Sequence, residues 1–462
     1  MSHLQKKQKM YNTDHQSHYE NSVESPPKIF NLTIDCFDEI FEYLNMKDLH
    51  SFGQTCKRMN KVAGEYFKQN HSSAEKFCAK DGIHTVYSDK DGVINERIQT
   101  SGFNNFMPCI SHYHRDLGPL KYIKSHISEF ESTKHIYLVE LEITNGRIEH
   151  FKQLLPQLEI VQHRGCTLHG DFYDLILKYC KNLREIYIQN SAAGNRINGK
   201  LNWLLQEYPK LERFELMPRD SYQFEELRNF FVRNPNVQRF STTAGFLWKN
   251  GDIFLNSNAK LDILELKGFY FSTWFSSVGN QTSKISLELL NQLHEQGFYK
   301  RLYIYVDVVD EFDSTLFASL KGLELLCIRW FDESYNLAQL TNLRELIILD
   351  RSKAKDMEIL ANGLIKLERL YIDLASFDDI MPFIRRSPKL NKIKFLPRNK
   401  GVILNLTLLN IERAKLVGAR KIIIYTRDDV FLATKWTTRN GDTNLSFIEM
   451  IRSDSLEWNH HY

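Results

Sequence analysis

Leu343-Arg344-Glu345-Leu346-Ile347-Ile348, Leu367-Glu368-Arg369-Leu370-Tyr371-Ile372 and Leu390-Asn391-Lys392-Ile393-Lys394-Phe395 are three versions of one phrase, Leu-x-x-Leu-x-Leu. In extended backbone, alternate side chains share a face, so the fourth and sixth positions point the same way, and the first joins them across a bend. The phrase recurs upstream as Leu183, Ile186 and Ile188, as Leu211, Phe214 and Leu216, as Leu261, Leu264 and Leu266, and as Leu323, Leu326 and Ile328. First anchors stand at 158, 183, 211, 237 and 261, and again at 323, 343, 367 and 390, giving spacings of 25, 28, 26 and 24, then 20, 24 and 23.

Tyr299, Leu302 and Ile304 fill the gap after an insertion around Phe269 to Lys284. Thr133, Ile136 and Leu138 open the series, and Ala419, Ile422 and Ile424 close it. One unit reads as weaker: Leu158 and Val161 are followed by His163 in the third slot.

Recurrence at 20 to 30 residues is the mark of a solenoid. Each unit reads as an amphipathic helix, a break and a strand. A single unit cannot bury its apolar face, so neighbours must stack. Each inward Leu or Ile contributes roughly 1.5–3 kcal/mol when buried. Pro209, Pro235 and Pro388 each stand two residues before an anchor, where proline ends a helix and favours extended backbone. The fold class expected is therefore an α/β solenoid.

The units resemble the leucine-rich-repeat family in its longer form, with a helix on the convex side, over most of residues 133 to 425. That resemblance implies a horseshoe whose strands line the concave face. The Asn or Cys that often follows the strand in that family is mostly missing here.

Ahead of the repeats, Ile34, Phe37, Ile40, Phe41 and Leu44 recur at helical spacing, with Thr33 placed to cap the helix and Asp35 suited to its positive end. Leu49 and Phe52 sit on a second short helix; Cys56, Met59, Ala63 and Phe67 mark one face of a third. About forty residues make a small core, so these helices are expected to need a partner.

The segment resembles an F-box: Leu32, Ile40, Phe41, Leu44, Asp48, Leu49, Cys56 and Lys57 fall on that family's pattern, while Thr33 stands for its usual proline and Met59 for its usual tryptophan. The resemblance implies docking through Leu32, Ile34, Phe37, Ile40, Phe41, Leu44 and Leu49 on a Skp-family adaptor, and through it on a cullin scaffold. The order, helical segment then leucine-rich repeats, is a family architecture whose implied role is substrate recognition in a ubiquitin ligase. The alternative kept beside it is a leucine-rich scaffold or inhibitor unconnected to ubiquitin.

The expected divisions are a disordered tail over 1–27, the F-box-like helices over 28–69, a connector and repeat cap over 70–130, the solenoid over 131–425, and a C-terminal cap and tail over 426–462. The connector holds two strand-like pieces, Thr85-Val86-Tyr87 and Val93-Ile94-Asn95, around a Lys90-Asp91-Gly92 turn.

Strand alternation turns Tyr137, Tyr187, Arg213, Arg239, Glu265, Arg301, Tyr303, Tyr305, Arg329, Arg369, Tyr371, Lys392, Lys394, Lys421 and Tyr425 toward the concave face. Tyr and Arg are the commonest binding anchors. The candidate substrate contacts are Tyr187, Arg301, Tyr303, Arg329, Arg369, Tyr371, Lys392 and Lys394. The basic bias of the C-terminal half suits an acidic or phosphorylated segment of a protein substrate.

Other function classes fare poorly. The 60 basic and 57 acidic residues leave a net charge of +3, which offers no broad field for nucleic acid or an anionic membrane. Seven cysteines, none at C-x-x-C spacing, suit reduced thiols in a cytoplasmic or nuclear protein. No secretory signal or spanning apolar run is visible. His112-Tyr113-His114 lacks a third ligand at metal spacing, and no nucleophile, P-loop or H-E-x-x-H motif occurs. Neither a catalytic constellation nor a cofactor site is expected.

Overall fold

The computed structural model describes residues 29, 32–70, 75–79, 82–88, 94–99, 109–113, 118–191, 196, 199–219, 223–267, 280–309, 317–331, 337–349, 357–438 and 441–452. The expected tail over 1–27, the Lys90-Asp91-Gly92 turn, most of the insertion after Phe269 and the chain's last ten residues lie outside them. The chain divides after Tyr43.

The first unit holds helix α1 (Ile34–Phe41), with Thr33 in extended backbone as its N-cap, accepting from the Cys36 amide. Phe37 and Phe41, one turn apart, are buried and stack with ring centroids 5.7 Å apart.

The second unit opens with α2 (Met46–Gly53) and α3 (Lys57–Asn70). Asn45 caps α2 by accepting from the Asp48 amide at 2.8 Å. Met59, Ala63, Tyr66 and Phe67 form the buried face of α3, which accounts for the apolar period there.

A sheet of seventeen described strands follows. In chain order the strands are β1 (Glu75–Ala79), β2 (Gly82–Ser88), β3 (Ile94–Gln99), β4 (Cys109–Tyr113), β5 (His135–Val139), β6 (Glu142–Ile143), β7 (Ile160–Arg164), β8 (Thr167–Leu168), β9 (Glu185–Ser191) and β10 (Arg213–Pro218). The series continues with β11 (Arg239–Thr242), β12 (Leu261–Lys267), β13 (Tyr299–Val309), β14 (Leu323–Phe331), β15 (Glu345–Ile348), β16 (Arg369–Ala375), β17 (Lys392–Pro397), β18 (Ile422–Thr426) and β19 (Ile448–Arg452). From β4 onward, neighbours pair in parallel, in chain order, with β6 and β8 set aside in a small sheet of their own. This is an α/β solenoid of stacked parallel rungs.

Register shows why. Leu326, Leu346, Leu370, Ile393, Ile424 and Met450 stand opposite one another across β14 to β19, all buried in one continuous core between sheet and helices. Phe214, Phe240, Leu264 and Leu302 do the same across β10 to β13. Around this second column rings form a lattice: Phe214 meets Phe230 at 4.5 Å and Phe240 at 5.5 Å, Phe240 meets Phe254 at 5.6 Å, and Phe254 meets Phe298 at 5.6 Å. The prolines act as expected; the helices over 226–233 and 377–386 end just before Pro235 and Pro388. Gly363 is required by close packing, because a Cβ there would lie 2.4 Å from the Ala338 carbonyl oxygen.

Three features differ from the sequence reading. Strands β4 and β19 add parallel rungs beyond the repeats counted at either end. The two strand-like pieces before β4 are strands as expected, β2 and β3 paired antiparallel; what the reading lacked is β1, which pairs antiparallel with β2. Between β5 and β9 the connections are one-turn helices and 3₁₀ turns, not amphipathic α-helices. Pro156, inside one of them, has no amide hydrogen to continue an α ladder.

His163 fills the third anchor slot from inside the core, with neither ring nitrogen hydrogen-bonded. It is fully buried, points into the core as the third anchor, and sets its ring edge-on to Phe172 at 4.7 Å. Burial drops its pKa to about 3, so the imidazole is neutral.

Three buried side chains bridge successive rungs. Cys166 Sγ lies 3.3 Å from the Leu138 carbonyl, Thr242 Oγ1 donates to Leu216 O at 2.8 Å, and Thr426 Oγ1 donates to Phe395 O at 2.9 Å. Each ties its rung to the one before. Burial pushes the Cys166 thiol up to about 11, so it remains protonated.

Candidate protein-docking surfaces

Two surfaces follow from the sequence reading. On α1, Ile40 is exposed, Ile34 is half-buried, and Tyr43 just beyond the helix is exposed. Leu32 before the helix is half-buried. Leu44, which opens the second unit, is also half-buried. Phe37, Phe41 and Leu49, also expected among the contact residues, are buried at 0%, 0% and 1% exposure. Helical spacing alone identifies which residues are apolar together, not which of them stays uncovered.

The concave face takes its geometry from strand register. One row runs Tyr187, Glu215, Ser241, Glu265, Tyr303 and Leu325 across β9 to β14. Glu345, Arg369 and Lys392 extend it across β15 to β17. The neighbouring row runs Lys267, Tyr305, Cys327 and Ile347 across β12 to β15, then Tyr371, Lys394 and Tyr425 across β16 to β18.

At the centre lies Glu265, fully buried. It pairs with Arg239, accepts from Ser241, and lies 3.1 Å from Arg213 Nη2 and 3.1 Å from the Tyr305 hydroxyl. Burial by itself would raise its pKa; Arg213 and Arg239 outweigh burial and hold the carboxyl well below the usual range. Arg213 also stacks 4.9 Å over Tyr187, and Arg239 5.6 Å over Tyr303. A second buried pair, Lys267 with Glu215 at 2.8 Å, adjoins it, and Gln189 donates to Glu215.

The sequence reading turned Arg213, Arg239 and Glu265 toward this face and did not count them among the candidate contacts. The register brings them together as an internal ion network. Tyr187, Tyr371 and Lys394 are likewise buried at 1%, 2% and 1% exposure, with the Lys394 ammonium 4.8 Å over the Tyr371 ring.

Arg329 is exposed; Arg301, Tyr303, Arg369 and Lys392 are half-buried. Arg301 pairs with Asp262, and Arg369 lies 3.6 Å from Glu345. Glu215 and Lys267 escaped the sequence reading, although both occupy concave offsets and alignment of the strands would have paired them. Beside these, Tyr305, Leu325, Cys327, Ile347, Tyr371 and Leu396 form an apolar cluster separate from the main core.

Comparison with known proteins agrees with the helical reading. Residues 29–66 match the F-box domain family. The F-box match takes in α1, α2 and most of α3. No curated protein matches the chain. Among solved structures it is similar to an internalin, inlF, of Listeria monocytogenes, at 14% identity and TM-score 0.23, covering 79% of this chain and 86% of that one. It is also similar to a chain of the Toll–Spatzle complex of Drosophila, at 10% identity and TM-score 0.27, covering 82% of this chain and 59% of that one. The strand pairings, not these distant likenesses, establish the solenoid; the F-box match is what bears on partners. No described helix is long and apolar enough to cross a membrane.

Proposed function

We propose that this protein is the substrate-recognition subunit of a Skp–cullin–F-box ubiquitin ligase. The observation that carries the reading is the F-box match at residues 29–66 immediately ahead of a parallel repeat solenoid. An F-box implies a Skp-family adaptor, and the exposed Ile40 supplies an apolar anchor for it. The protein itself then binds, and other subunits perform the transfer chemistry.

The substrate is received on the concave face, toward the C-terminal rungs. There Arg329 is exposed and Arg369 and Lys392 are half-buried, and the arginines of β10 and β11 pair with Glu265. Such a surface suits an acidic or phosphorylated protein segment.

Co-purification of the full chain with a Skp-family adaptor tests the first part. Failure of the unaltered protein to bind at micromolar concentration overturns it and favours a scaffold unconnected to ubiquitin. Reversal of Arg329, Arg369 and Lys392 to Glu together tests the second. Capture of an unchanged set of partners would count against the substrate surface.

A further inference from the structure

The two edges of the long sheet both reach one short segment, Leu44 to Gly53. At one edge, α2 lies against β3, the outer strand of the antiparallel hairpin. At the other, Arg452 of β19 donates through Nη1 to the Leu44 carbonyl at 3.4 Å, across 408 positions of sequence. Leu44 stands just outside α2, whose first carbonyl in the helical ladder belongs to Asn45, so its oxygen is available to an outside donor. Arg452 is itself held in place: 8% exposed, with Nε 3.7 Å from Asp428 and its guanidinium 5.3 Å over the Phe431 ring.

A repeat array needs its ends closed, because a terminal rung presents an uncovered core and an unpaired strand edge. Here the contacts that close the last rung include the backbone entering an F-box helix. The geometry points to a clamp: Arg452 couples the order of the last rung to the order of α2, so a change at the C-terminal rung alters the helices that receive the adaptor. The adaptor arm of this inference rests on the proposed function; the coupling itself does not. A hydrogen bond from a charged donor is strong enough for its loss to shift a local opening equilibrium by about tenfold or more.

Hydrogen exchange on the full chain tests the coupling, using Arg452→Met, which keeps the aliphatic stem over Phe431 but removes every donor. Leu370→Ala, three rungs away, serves as the control for general destabilisation. The expected result is amides of residues 46–53 exchanging about tenfold faster in Arg452→Met and not in Leu370→Ala, with Arg452→Lys restoring part of the protection. Unchanged exchange over 46–53, or an equal rise in the control, overturns the clamp. In a parallel arm, adaptor affinity should fall by a similar factor. Faster exchange with unchanged affinity overturns the link to docking, whereas exchange behaving as expected in a chain that never binds the adaptor upholds the clamp and overturns the proposed function.

Discussion

Arg213 Nη2 lies 3.1 Å from Glu265 Oε2, and Glu265 is completely buried beneath the concave face. Removing one member of a buried ion network leaves its partners charged and uncompensated, which costs more than the network contributes. Glu265→Ala should therefore destabilise the protein by about 3–5 kcal/mol in urea unfolding. Replacing Arg213, Arg239 and Glu265 together by apolar residues should cost less than Glu265→Ala alone. A triple variant less stable than the single one would show that the network is net stabilising.

His163 makes stability depend on acid. Its folded pKa is about 3 against an ordinary value of 6.5, so between those pH values the unfolded chain binds a proton that the folded chain refuses. Stability attributable to this residue is intact above pH 6.5 and falls as pH drops toward 3, by about 1.4 kcal/mol per unit at most. His163→Leu should flatten that part of the pH–stability profile. An identical slope in the variant would mean that the imidazole becomes hydrated and charged in the folded protein.

Arg413 is fully buried and donates to five carbonyl oxygens, those of Arg420, Ile384, Ser387, Pro388 and Leu390, at 2.8–3.1 Å. Burial lowers its pKa to about 10, which still leaves it charged at neutral pH. Only a planar guanidinium offers five donors in fixed directions. Arg413→Lys should cost about 2–4 kcal/mol, because an ammonium reaches at most three of these oxygens. Thermal unfolding of the variant checks this, and a melting temperature within a degree or so of the parent's would show the carbonyls are hydrated instead.

The exposed Ile40 and the buried Phe37 separate docking from folding on one helix. Ile40→Asp should weaken capture of a Skp-family adaptor by more than about tenfold while leaving thermal stability unchanged. Phe37→Ala should destabilise the helical segment, a cost of about 3–5 kcal/mol for an emptied aromatic site. Adaptor binding that survives Ile40→Asp would move the docking surface elsewhere.

The rungs were legible because their signal is periodic: Leu343, Leu367 and Leu390 repeat the same inward positions, and every one is buried. Where the signal is not periodic, reading stops. Ile110 of β4 is a core residue of a real rung whose third slot is His112, so no full phrase marks it, whereas Leu445, with Ile448 and Met450 of β19, carries the phrase and was passed over. His163 stands in an anchor slot as a ring packed edge-on to Phe172, a placement that a polar residue type does not announce.

The concave face was legible as a list and not as a surface. Alternation tells which way Arg239 and Glu265 point, whereas their pairing depends on which strand lies beside which, and by how many residues the strands are offset. Likewise, the spacing of Phe37 and Ile40 sets both on the apolar side of one helix without telling which is covered.

The phenylalanine lattice around β10 to β13 also bears on how the protein answers tension. Rings interlocked across successive rungs resist sliding, while the segment from β5 to β9 is joined by single helical turns that unwind cheaply. Hauled from its two ends, as when a tethered partner is dragged into an unfolding machine, the solenoid should shed its N-terminal coils early and surrender the aromatic stretch late. Its middle would then keep its grip after its flanks have let go.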